Sequence, residues 1–252
     1  MASKHYLSNY LNTRNYTSIK NGDMINDNHI DDARHCLKQD CDAFMLNGVL
    51  SFVSAINSVK KNNYSWAFVQ CYYTFFYMAE ALLAAHDIGI YYINTTPFSI
   101  KLSKGESFKK QNGNSHKVVL SLFKDFFDGD TLLCGEIEGI HIIDWFNKKR
   151  EQINYRDNPM TDPIPPTPLY RYNNNLRTWI SNYQTEILYS FNPNHSYIAF
   201  SLRLIEYLIA FYQQRNMKNA FITNDVMKHI KKNCCDSKGP FKSLIDNINK
   251  IV

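Results

Sequence analysis

The chain has 252 residues, enough for one large domain or two small ones. A hydrophobic fraction of 44% with 14% aromatic residues supports a packed core and excludes disorder over most of the length, and nine glycines are too few for a sandwich or barrel of many tight turns. The formal charge of +5 is mild and by itself assigns no partner.

The opening MASKHYLSNYLNTRN lacks the apolar segment of a signal peptide, and residues 1–30 read as a polar arm. The first helix starts after NDNH, where Asp31 and Asp32 favour the positive end of the helix dipole. Leu37, Cys41, Phe44, Met45, Gly48, Phe52, Ala55 and Ile56 then recur in steps of three and four, so one face is buried. KKNNYS breaks the pattern, and a second helix of low polarity runs over residues 64–86 until Gly89 ends it. Its most apolar window, residues 66–85, contains Gln70, Thr74 and Glu80 and reads as a buried helix rather than a membrane span. A cytoplasmic protein that avoids membranes is the expectation.

Residues 90–115 read as a long connection. The stretch 101–117 carries Lys101, Lys104, Lys109, Lys110 and Lys117 against Glu106 alone, and connections of this length are often functional. A third helix covers residues 116–127, DGD turns the chain, and a fourth covers 136–156. Pro159, Pro163, Pro165, Pro166 and Pro168 make residues 159–168 a stiff extended linker. Helical patterns come next over 169–191, 195–215, 224–234 and 241–251. No internal repeat and no strong strand alternation appear. The expected architecture is all-α: an antiparallel helical bundle over 31–158, the linker, and a C-terminal helical unit over 169–252.

The six cysteines form no CxxC pair; Cys234–Cys235 reads either as a redox or metal site or as a reduced pair near a helix end. There is no phosphate-binding glycine loop, no HExxH and no GxSxG, and the eight histidines are scattered, so no metal and no cofactor are expected. The fourth helix holds the most unusual polar arrangement, in KKREQINYRD. On an ideal helix Asn154 lies about 40° from Arg150 and Asp157 about 20° to the other side, with Ile143, Phe146 and Ile153 within about 60°. A guanidinium among apolar side chains must find acceptors. Either Arg150 pairs with Asp157 or Glu80 and locks the bundle, or it holds a phosphate at a cleft or interface.

Three segments in order resemble the HEPN superfamily. They are the aromatic helix with Tyr72, Tyr73, Phe76, Ala79, Leu82 and Leu83, the helix with Ser115, His116, Leu122, Phe123 and Phe126, and the last helix ending in Arg150, Asn154 and Tyr155. The resemblance covers about residues 35–158 and implies an up-down bundle, usually a homodimer. Many members are metal-independent endoribonucleases of toxin–antitoxin, CRISPR or phage-defence systems, whereas others bind nucleotides or only dimerise. The ribonuclease members carry a histidine a few residues after the arginine, but here Tyr155, Arg156 and Asp157 stand in that window. His141 lies about 180° round the same predicted helix, which leaves His116 as the candidate imidazole.

The aromatic run 72–77 reads as core or dimer packing, or as a base-stacking platform. The lysines of 101–117 are a solvated loop, or a contact for RNA or an acidic partner. Residues 202–252 hold nine Lys and Arg against four Asp and Glu, densest at Lys228, His229, Lys231 and Lys232. That surface is either a solvated face or a second phosphate contact. The leading expectation is a HEPN-like protein that binds RNA, a nucleotide or a partner protein encoded nearby, without strong catalysis. An endoribonuclease using Arg150 with His116, Asn154 or Tyr155 is one alternative, and a purely structural or dimerisation subunit is another.

Overall fold

A computed structural model describes residues 5–130, 133, 135–153, 162, 172–234 and 240–252. Among them the chain is mostly helical, in keeping with the all-α expectation. The helices are α1 (Tyr6–Thr13), α2 (Ile30–Lys60), α3 (Tyr64–Ala85), α4 (Ser115–Phe126), α5 (Ile142–Glu151), α6 (Tyr172–Thr185), α7 (Ser196–Gln214), α8 (Asn224–Asn233) and α9 (Pro240–Asn249). The strands are β1 (Ile88–Ile93), β2 (Thr96–Lys101), β3 (Lys109–Lys110), β4 (Glu136–Ile137) and β5 (Ile140–His141). The chain divides into two compact units, one of Met1–Phe44 with Ala79–Phe126 and one of Met45–Met78 with Phe127–Val252. This partition assigns the two halves of α2 to different units.

In the first unit the N-terminal segment is not a loose polar arm. Leu7 and Leu11 of α1 are buried, and Asp40 of α2 accepts the backbone N–H groups of Tyr6 (2.8 Å) and Leu7 (2.9 Å). The carboxylate thereby satisfies two of the amides that a helix start leaves without partners. Gly89 does not stop α3, which ends at Ala85 before Asp87 adopts φ +64°. Gly89 lies instead on β1, where a Cβ would collide with a Leu7 methyl.

The connection 90–115 contains most of an antiparallel sheet in the order β1-β2-β3. Ile93 pairs with Thr96 around a turn in which Asn94 takes φ +55°. Pro97, Phe98, Ser99 and Ile100 are all buried, which erases the two-residue alternation a half-exposed strand would show.

The second unit is organised around aromatic side chains. Phe75, Phe146 and Phe200 meet with ring centroids 5.4–5.8 Å apart, and Tyr197 sits 4.8 Å from Trp145. These residues are at most 3% exposed, and their contacts bind α3, α5 and α7 into one core. Asp162 accepts the N–H groups of Tyr64 (3.1 Å) and Ser65 (3.2 Å), so one residue of the proline-rich segment caps α3. The helix expected over 136–156 begins only at Ile142. EIEGIH forms the β4-β5 hairpin instead, because Glu138 (φ +54°) and Gly139 (φ +71°) supply a tight turn of positive dihedrals. His141 is therefore the cap of α5 and not a residue on its far side; its Nδ1 accepts the Ile143 N–H at 3.3 Å. The pattern over 169–191 resolves into α6 and a 3₁₀ turn, Ile187–Phe191.

The run Asp27–Lys60 is long and apolar enough to cross a membrane by length and composition, and it contains an 18-residue window of mean hydropathy 1.2. Within that window 56% is buried by the rest of the chain.

Candidate functional site

Arg150 lies in the last turn of α5, with its side chain only 16% exposed. Phe146 and Ile143, one and two turns earlier, are buried, so the apolar stripe places the arginine as the periodicity predicts. Its guanidinium carbon stands 4.8 Å from the centroid of the Tyr72 ring, and Nη2 lies 3.9 Å from Glu151 Oε1. Nε is buried with no hydrogen-bond partner. The acceptors of this charge among the described residues are thus an aromatic face and a neighbouring carboxylate. Of the two pairings the sequence offered, Asp157 or Glu80, the described residues show no ion pair to Glu80, whose charged neighbour is Asp40. Asp157 lies outside the described residues. Burial pushes the Tyr72 phenol up to about 12, with Arg150 acting in the opposite direction, so Tyr72 stays neutral near pH 7.

Asn154 and Tyr155 also lie outside the described residues. Beyond Glu151, Gln152 and Ile153 are π-helical. His116 is half-buried in the first turn of α4 and belongs to the first unit, whereas Arg150 belongs to the second.

Lys101, Lys104, Lys109, Lys110 and Lys117 are all exposed, and none has an ion pair among the described residues. Lys101 ends β2, Lys104 sits in the turn after it, Lys109 and Lys110 form β3, and Lys117 opens α4. Since Lys109 registers with Ser99, Lys101 and Lys109 project from the same face of the sheet. On α8, Lys228 pairs with Asp225 at 2.9 Å, while Lys231 and Lys232 are exposed in the last turn. Cys36, Cys41, Cys71 and Cys234 form no disulfide among the described residues, and Cys134 and Cys235 lie outside them.

Two concavities escaped the sequence reading. In the first unit a small cavity of about 30 Å³ is lined by Asp40, Glu80, Leu37, Leu83 and Tyr92. Burial raises both carboxyls, Glu80 to about 8 with Asp40 adding to the effect. In the second unit a groove of about 350 Å³ runs between α2 and α3, lined by Asn47, Ser51 and Ser54 on one side and Gln70, Tyr73 and Tyr77 on the other. The signal was present: each trio steps by three and four residues, a polar stripe on an otherwise apolar helix. Comparison with models of known families, with curated proteins and with solved structures finds no match to this chain.

Proposed function

We propose that this is an RNA-binding protein of HEPN-like type that works by holding its ligand rather than by strong catalysis. The observation that carries the reading is the set of five exposed lysines between Lys101 and Lys117, free of ion pairs among the described residues. Lysines committed to carboxylates would have to give up those partners before meeting a phosphate; these do not. They are spread over a strand, a turn, a second strand and a helix start, which suits a polyanion better than one phosphate group. Arg150, already held against Tyr72 and Glu151, is poorly placed to act as a mobile phosphate clamp, which favours binding over cleavage. The homodimer and a role in defence or toxin–antitoxin pairing derive from the HEPN resemblance, the cytoplasmic location from the polar N-terminus and the buried reading of the apolar helix, and all belong to the same proposal.

The test is fluorescence anisotropy with labelled RNA at low salt and without divalent metal, repeated across a salt series, with the same mixtures run on denaturing gels. Binding that weakens steeply with salt and leaves the RNA intact is expected. Absence of affinity at low salt overturns the reading, and metal-free cleavage lost in Arg150→Ala replaces it with an endoribonuclease.

A further inference from the structure

We propose that the groove between the second half of α2 and α3 is a subsite for an unpaired nucleobase of the bound RNA, an assignment that rests on the RNA-binding reading. The aromatic run 72–77 divides by face. Tyr72, Phe75 and Phe76 enter the core, at most 6% exposed, whereas Tyr73 and Tyr77 stay half-exposed and line the groove. Their rings lie 6.1 Å apart at 31°, close enough to parallel to present adjoining π surfaces.

Opposite them, the side chains of Asn47, Ser51 and Ser54 make no hydrogen bond within the described residues. Gln70 accepts from Ser58 Oγ through its side-chain oxygen (2.7 Å), which anchors the amide and leaves its nitrogen without a partner there. The groove therefore offers both donors and acceptors on one wall and aromatic faces on the other. No lining residue carries a carboxylate, an ammonium or a guanidinium. That chemistry suits a neutral, planar group with hydrogen-bonding edges, and its volume of about 350 Å³ falls within the range of small-ligand clefts. An aliphatic chain would leave Asn47, Ser51 and Ser54 unsatisfied, and a phosphate would meet no cation. Trp66 precedes Gln70 by one turn on the same face of α3 and is 54% exposed, so the aromatic stripe continues past the groove toward the start of the helix. An adjoining base of the same strand would stack there.

The experiment compares single-stranded RNA with an abasic ribose-phosphate strand of equal length, both against the full chain at low salt. Wild type should prefer the base-bearing strand, and Tyr73→Ala with Tyr77→Ala should weaken that strand about tenfold while leaving the abasic strand unchanged. Tyr73→Phe, which keeps the ring, should restore the preference. Asn47→Ala, at an exposed position that leaves the core untouched, should reduce it on its own. Equal binding of the two strands by wild type removes the groove and keeps the RNA-binding reading. No binding of either strand removes both. A preference unchanged in the tyrosine variant overturns the subsite, as does sedimentation showing that the same variant dissociates a dimer.

Discussion

Arg150 lies across the face of Tyr72, with 4.8 Å from its guanidinium carbon to the ring centroid, and this contact ties the end of α5 to the middle of α3. The charge sits largely out of water, where a cation–aromatic contact is worth most. Arg150→Ala should therefore lower stability by about 1–2 kcal/mol in urea unfolding while leaving RNA affinity within twofold of wild type. A variant that melts like wild type but has lost RNA binding would show that the arginine serves the ligand instead.

Asp40 holds the start of α1 through the N–H groups of Tyr6 and Leu7, and its side chain is nearly inaccessible. Asp40→Ala should destabilise the docked helix by about 1–2 kcal/mol. Hydrogen exchange of the α1 amides is the direct readout: they should exchange faster in the variant, with the amides of α7 unaffected. Equal protection of α1 in both proteins would mean that Leu7 and Leu11 alone hold it.

Glu80 carries a pH dependence whose sign can be worked out. Burial raises its carboxyl from 4.5 to about 8, so the folded state binds a proton more tightly than the unfolded chain does. Its stabilising contribution is complete below pH 4.5 and is lost as pH rises toward about 8. His5, Asp40 and Tyr92 face the same cavity, and Asp40, also raised, acts in the same direction. Urea stability of wild type should fall across this window, and Glu80→Gln, a permanent mimic of the protonated form, should flatten the slope. An identical slope in the variant would assign the dependence to other groups.

The lysines of the β2–β3 region make a separable prediction. Each of Lys101→Ala, Lys104→Ala, Lys109→Ala and Lys110→Ala should reduce the salt slope of RNA binding by about one, without altering base preference or thermal stability. Substitution of Lys228, whose ammonium is already paired with Asp225, should change the slope less.

The apolar steps of α2 and α3 and the stripe of Ile143, Phe146 and Arg150 on α5 were legible because helical burial writes itself into the chain every three or four residues. So were the lysines of 101–117, as a local excess of charge. The β1–β2 hairpin was not, because burial on both faces of β2 removes the alternation by which a strand is recognised. The α5 boundary was misplaced because the positive dihedrals of Glu138 and Gly139 are a backbone choice that the apolar pattern does not encode.

The sequence by itself determined the long apolar helices α2 and α3 and that an arginine near the end of α5 needs a partner, since both derive from local periodicity and the cost of burying charge. Only the tertiary structure decided which partner that is, that Asp40 reaches back to cap α1, and that Tyr73 and Tyr77 leave the core for an open groove. Those outcomes depend on which residues, distant along the chain, arrive side by side, and no local pattern carries that information.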